Sequence, residues 1–222
     1  HDISRKHHFF KMANELRIPV PKTIIINGVT EDVHYENLAQ QLTGSSEGEI
    51  IMKLTSASSG KKVYLVRSQG DLEYVVAQCG HYAILVAQER IPLPTGLPYS
   101  IRVVTWGNRV LGSELLVNDK DEIHSNVAQG GKAIDLAVAR QPPRTEDSLA
   151  LHGLDRLKVE GIAEACGIDL GRRRLPRQTE RLAKIIGGYS SNYLLRGTDF
   201  MYLDGRPVAL ETNTHPGPPG SG

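Results

Sequence analysis

Gly197-Thr-Asp199-Phe-Met-Tyr-Leu-Asp204-Gly205-Arg-Pro-Val-Ala-Leu-Glu211-Thr-Asn213-Thr-His215-Pro-Gly217 is the stretch whose reading decides the fold. Two short apolar runs flank Asp204-Gly205, the signature of a β-hairpin. Glu211 and Asn213 are two apart on the second run, so both point to one face. Asp199 lies on the first run. Three oxygen-bearing side chains can then converge as a hard cation such as Mg²⁺ requires. Turn length limits this idea. A two-residue turn pairs Asp199 with Leu210 and puts it on the face away from Glu211. A three-residue loop, with Gly205 left-handed at a bulge, puts the two acids on one face. The metal reading therefore predicts the three-residue loop. An ordinary exposed hairpin with solvated acids is the alternative.

Working outward, 222 residues can bury a core as one large domain or two lobes. Charged residues at 23% and hydrophobic ones at 40% are ordinary globular composition. A net charge of +1 implies no polyelectrolyte partner, and 5% aromatics argues against a base-stacking surface, so no nucleic acid is expected. Cys79 and Cys166 lack metal-ligand spacing, which fits reduced thiols and a cytoplasmic location. No apolar run approaches the roughly 20 residues that span a bilayer, so no membrane is expected.

Residues 4–17 read as a helix with Phe9, Phe10, Ala13 and Leu16 at helical spacing and Ser4 as a cap. Strands are predicted at 23–26, 49–54, 63–67 and 83–91, and helices at 35–42 and 71–78. The Pro/Gly-rich segment 92–98 is the predicted hinge between two lobes. Residues 100–106 and 109–117 flank Gly107-Asn108, a hairpin signal that fits a type II′ turn. Residues 132–188 read as helix and loop, with helices at 154–166, ending at Gly167, and at 178–193, which Gly187-Gly188 can interrupt. Arg172–Arg174 form a basic run, read as a solvated loop or an anion contact. Hairpins plus helices give an α+β class.

Several segments can carry chemistry. Thr55-Ser-Ala-Ser-Ser59-Gly60-Lys61-Lys62 joins two strands; its small residues and N–H groups suit a phosphate, or form a plain turn. Lys53 sits in Ile-Ile-Met-Lys-Leu, where it must face solvent or an anion. Gln88-Glu89-Arg90-Ile91 precedes the hinge, and its backbone can bond an adenine edge or simply end a strand. Ser125-Asn126 with Gly130-Gly131 is by itself only a loop. His124 is the histidine that can contact phosphate. Trp106 reads as a packing residue of its hairpin.

In order, these segments resemble the ATP-grasp superfamily, and most nearly its RimK-like group of peptide and amino-acid ligases. The likeness runs from Ser4-Arg5-Lys6 and Ile18-Pro-Val-Pro21 through the Lys53 strand, the Ser59-Gly60 loop, Gln88–Ile91, Ser100-Ile-Arg102, Asn126 and Gly130-Gly131 to Asp199, Glu211 and Asn213. It implies two α+β lobes holding ATP between them: residues 1–23 as entry helix and connector, 24–91 as the small lobe, and 92–222 as the large lobe. A preceding N-terminal domain, usual in the family, is expected to be absent.

By resemblance, Lys6 and Lys53 contact ATP phosphates, and the loop around Ser59 and Gly60 closes over them. Gln88, Glu89, Arg90 and Ile91 hold adenine and ribose, while His124 and Asn126 complete the nucleotide contacts. Asp199, Glu211 and Asn213 bind Mg²⁺, as two ions, with Mn²⁺ as a substitute. Arg102 stabilises the transferred phosphoryl group. The implied reaction joins a small-molecule or peptide carboxylate to an amine through an acyl-phosphate. A small-molecule kinase and a non-catalytic nucleotide-binding module are the alternatives. Two departures stand out. Lys62 replaces the loop's usual second Gly, and Glu114 and His124 occupy a stretch where this group usually carries arginines.

Overall fold

Short apolar runs separated by tight turns make hairpins, and two antiparallel sheets built from them organise the computed structural model of the chain. The structure describes residues 6–28, 33–55, 62–80, 83–120, 123, 125, 130–136, 154–172, 174–189 and 195–213, and of Lys6 and His7 the backbone alone. Two compact units divide the chain: His1–Leu16 with Val20–Ile91, and Arg17–Pro19 with Pro92–Gly222. No helix among the described residues is long and apolar enough to cross a membrane.

The first unit runs α1 (Lys6–Glu15), β1 (Thr23–Asn27), α2 (Tyr35–Thr43), β2 (Ile50–Leu54), β3 (Val63–Val66), α3 (Gln69–Cys79) and β4 (Ile84–Glu89). Its sheet has the order β1-β4-β2-β3 with every neighbour antiparallel. Alternation along the strands builds the core. Ile50 and Met52 of β2 and Leu85 and Ala87 of β4 join Leu38 and Leu42 of α2 and Leu72 and Val75 of α3 in one buried cluster. Lys53, one residue beyond Met52, takes the other face, opposite Val63 and Val86. α3 begins two residues before the expected Asp71, because Ser68 caps it. Ser68 Oγ accepts the Asp71 N–H at 3.1 Å, and Asp71 Oδ2 accepts the Arg67 N–H at 2.8 Å.

The second unit runs β5 (Tyr99–Trp106), β6 (Arg109–Val117), β7 (Lys132–Leu136), α4 (Arg156–Ala165), α5 (Arg177–Gly188), β8 (Leu195–Leu203) and β9 (Arg206–Asn213). Its sheet order is β7-β6-β5-β8-β9, again antiparallel throughout. β7 lies where helix and loop were expected. Its five residues alternate too briefly to stand out, and it is an edge strand fixed by pairing with β6. α5 stops at Gly188, and Gly187 is a close-approach position. A Cβ there would stand 2.1 Å from the Gly107 carbonyl oxygen and 2.6 Å from Thr105 Oγ1. Buried Arg196 donates from Nη1 to the Ile186 carbonyl at 3.0 Å, placing a cation at the C-terminal end of α5 where the helix dipole favours it.

Both hairpins of this sheet carry a bulge. The β8–β9 turn holds two residues, since Leu203 pairs with Arg206, so the expected three-residue loop is incorrect. Asp204 (φ 50) and Gly205 (φ 72) are both left-handed, the requirement of a type I′ turn, which Asp-Gly meets at little cost. The acids reach one face by another route. Phe200 pairs with Ala209 but Asp199 pairs with Glu211, leaving Leu210 as an extra residue. The β5–β6 hairpin repeats the device: Trp106 pairs with Arg109 and Val104 with Gly112, so one residue of the Val110–Gly112 stretch is extra. Gly107 has φ 54 while Asn108 is not left-handed, which agrees with the type II′ expectation.

Candidate metal and nucleotide site

The bulge at Leu210 creates the acidic end of the second unit's sheet. Asp199 and Glu211 are directly opposed, and Gly197 is opposed to Asn213, so Asp199, Glu211 and Asn213 share a face. Asn213 Nδ2 donates to Glu211 Oε1 at 3.2 Å, an orientation that leaves the amide oxygen as the group's remaining acceptor. Two carboxylates and one amide oxygen form a hard donor set that suits Mg²⁺. No group of three His, Cys, Asp or Glu side chains with metal-binding placement occurs among the described residues.

Arg102 of β5 lies directly opposite Asp199. Its guanidinium grips the carboxylate at two points, Nε to Oδ1 and Nη2 to Oδ2, both 2.8 Å. The Arg102 and Asp199 side chains are 22% and 10% exposed, so water screens the pair weakly. Asp199 first, with Glu211 and Glu114 adding, raises the Arg102 pKa above its already high value. The neighbouring ladder extends the pattern: Glu114 of β6 opposes Arg102, and Asp135 of β7 opposes Glu114. The place of Glu114 and Asp135 beside this site is not apparent from the sequence. Counting back from a regular Gly107-Asn108 turn puts Ser113 opposite Arg102, and only the bulge brings Glu114 there. Ser100, two residues before Arg102, shares a 2.8 Å hydrogen bond with Ser125, the residue before Asn126.

In the first unit, Lys53 is 8% exposed on the face away from α2 and α3. The residues read as an adenine hinge are already well tied. Gln88 Nε2 donates to Thr23 Oγ1 at 3.1 Å, Glu89 Oε1 accepts the Lys22 N–H at 2.7 Å, and the Glu89 N–H reaches the Lys22 carbonyl at 3.1 Å. The Arg90 guanidinium pairs with Glu49, which also holds Arg67. Arg67 and Arg90 keep the Glu49 carboxyl below its usual range against the opposing effect of burial. Ile91 is buried. These bonds make the strand end rigid. They also commit the Gln88 and Arg90 side chains to structural contacts.

Lys62 has φ 58 and donates from Nζ to the Gln78 carbonyl near the end of α3 at 2.6 Å, so its charge serves the helix terminus. Lys6 lies in the first turn of α1. Ser59, Gly60, His124 and Asn126, together with Ser4 and His215, fall outside the described residues. Trp106, expected to pack, is 49% exposed at the hairpin tip.

Residues 4–176 match the RimK-like ATP-grasp domain. Beta-citrylglutamate synthase B of Mus musculus is 26% identical over 157 residues, which cover 69% of this chain and 36% of that protein. The D-alanine–D-alanine ligase of Bacillus anthracis complexed with ATP has the same fold, with a TM-score of 0.58 and 15% identity across 97% of this chain and 56% of its own. The ATP-grasp ligase PsnB, complexed with minimal precursor, Mg and ADP, gives a TM-score of 0.57 and 12% identity across 98% of this chain and 52% of its own. The chain thus spans about a third of the mouse protein's length and about half of each of these ligases.

Proposed function

The chain belongs to the family of RimK-like ATP-grasp domains, and on that premise we propose that it is the ATP-binding core of a ligase joining a carboxylate to an amine. The observation that carries this reading is the convergence of Asp199, Glu211 and Asn213 on one sheet face beside Arg102. ATP is the proposed nucleotide, and Mg²⁺ the proposed cofactor, with Mn²⁺ able to replace it. Two ions are proposed, since two cations would neutralise more triphosphate charge than one.

A carboxylate is a poor electrophile. Transfer of the γ-phosphoryl group to one carboxylate oxygen gives an acyl-phosphate and ADP. The amine nitrogen then attacks the acyl carbon, inorganic phosphate leaves with that oxygen, and the amine proton passes to base or water. The protein positions these groups and balances charge, with little covalent work of its own. Mg²⁺ supplies electrostatic neutralisation of the phosphates when bound. Asp199, Glu211 and Asn213 would hold it. Lys53 and Lys6 would bind phosphate oxygens. The backbone at Glu89–Ile91, with the Glu89 carboxylate, would hold adenine and ribose, and Ser59, Gly60, His124 and Asn126 would complete the nucleotide contacts. Arg102 grips Asp199 by its Nε–Nη2 edge, and its Nη1 edge is the one proposed for the transferred phosphoryl oxygen.

The test is ADP release by the full-length protein with Mg-ATP across pools of acids and amines. ADP that requires both an acid and an amine is expected. A stable phosphorylated alcohol would make the protein a kinase, and ATP binding without turnover on any pool would make it a binding module.

A further inference from the structure

Five directly opposed residues cross the second sheet in one row: Asp135, Glu114, Arg102, Asp199 and Glu211. Opposed residues of antiparallel strands point to the same face, so four carboxylates share that face with a single guanidinium at the row's centre. The guanidinium grips Asp199 by two bonds of 2.8 Å. That grip takes up one lone pair on each Asp199 oxygen, and a carboxylate oxygen carries two. Arg102 and a cation can therefore hold Asp199 together. The positive charge of Arg102 nevertheless opposes the arrival of another positive charge a few ångströms away.

We propose that Arg102, through its grip on Asp199, also presets that carboxylate and keeps the site's affinity for a bare divalent cation low, so that the cation enters as its complex with a nucleoside triphosphate. The proposal rests on the assignment of Asp199, Glu211 and Asn213 as cation ligands. Its logic is one of charge. A cation alone meets acids that Arg102 already partly neutralises. A cation carried by a triphosphate brings negative charge that offsets Arg102, so the same residue no longer opposes binding. Single occupancy by metal is thereby disfavoured, and loading of metal is coupled to loading of nucleotide.

The experiment measures Mn²⁺ binding to the full-length protein without nucleotide, following the spin signal of free Mn²⁺. It compares wild type with Arg102→Met, Arg102→Lys and Asp199→Asn. Arg102→Met is expected to bind bare Mn²⁺ roughly tenfold or more tightly than wild type, the order produced by removing one like charge beside an ion. Arg102→Lys keeps the charge, loses the two-point grip and is expected to lie between the two. Asp199→Asn is expected to lose binding. Adding a non-hydrolysable ATP analogue should shrink the difference between Arg102→Met and wild type. Melting is the second readout: Mn²⁺ should restore the stability that Arg102→Met loses, whereas a purely structural arginine would leave a deficit insensitive to Mn²⁺. Equal Mn²⁺ affinity in wild type and Arg102→Met, with binding still lost in Asp199→Asn, overturns the role of Arg102 and leaves the metal site standing. If Arg102→Met does not fold, Arg102→Gln, which also removes the charge, takes its place, and wild-type affinity in Arg102→Gln overturns the role. Wild-type affinity in Asp199→Asn removes the metal assignment, and the proposal with it.

Discussion

Asp199 is the side chain on which the proposed metal site depends most, and its surroundings make specific demands. It is gripped by Arg102, opposed by Glu211 and largely shielded from water. Asp199→Asn keeps one acceptor for Arg102, so stability should fall by only about 1–2 kcal/mol, while Mg²⁺-dependent ADP formation should be lost. Glu211→Gln should also abolish turnover with a smaller change in stability. Wild-type turnover in both variants would sink the metal assignment. Lys53→Ala should weaken ATP binding at least several-fold by calorimetry, and equal affinity would remove Lys53 from the phosphate site. The thiols give an independent check. Burial pushes the Cys166 pKa up to about 12, with Tyr99 opposing only part of the rise, so this thiol is neutral throughout the physiological range. A colorimetric thiol reagent should label Cys79 alone in the native protein and both cysteines after denaturation; a second rapid label in the native protein would contradict the burial of Cys166. The residue types of the site were legible because hard cations need oxygen donors. The partners of Gln88, Glu89 and Arg90 were not, because Thr23, Lys22 and Glu49 lie 41–67 residues away along the chain.

Two bulges set the register at the level of elements. Both hairpin turns were visible, since Gly107-Asn108 and Asp204-Gly205 have the composition that tight turns demand. The bulges were hidden because the extra residues look like any other apolar strand residue, and nothing local distinguishes a bulged leucine from a paired one. Asp199 and Glu211 share a face as the metal reading requires, but the bulge at Leu210 brings them there and the turn does not. α3 is a smaller miss of the same kind: Ser68 caps the helix, which starts at Gln69, two residues before the expected Asp71. Two glycines test the element geometry. Gly205 has φ 72 and nothing within 4 Å, so Gly205→Ala should cost about 1 kcal/mol from backbone conformation alone. Gly187 faces backbone of the β5–β6 hairpin, so Gly187→Ala should cost about 1–3 kcal/mol through displacement of α5. Urea unfolding measures both, and a neutral Gly187→Ala would contradict the packing of α5 on Gly107.

The whole molecule is α+β, with a four-stranded and a five-stranded antiparallel sheet in separate units. That much followed from hairpin signals between helical segments. Membership of the RimK-like ATP-grasp family followed from the specific Asp199–Asn213 hairpin and from the weak motifs that precede it in order. The row from Asp135 to Glu211 did not follow, because its register depends on pairing between strands distant in sequence. The central claim is activation of a carboxylate by ATP before an amine displaces phosphate. Its most direct measurement supplies the full-length protein with Mg-ATP, amines and carboxylic acids labelled with heavy oxygen in both carboxylate positions, then weighs the inorganic phosphate released. A ligase of this mechanism transfers one labelled oxygen to phosphate for each ADP formed. ADP accompanied by unlabelled phosphate, or by no free phosphate at all, would contradict it.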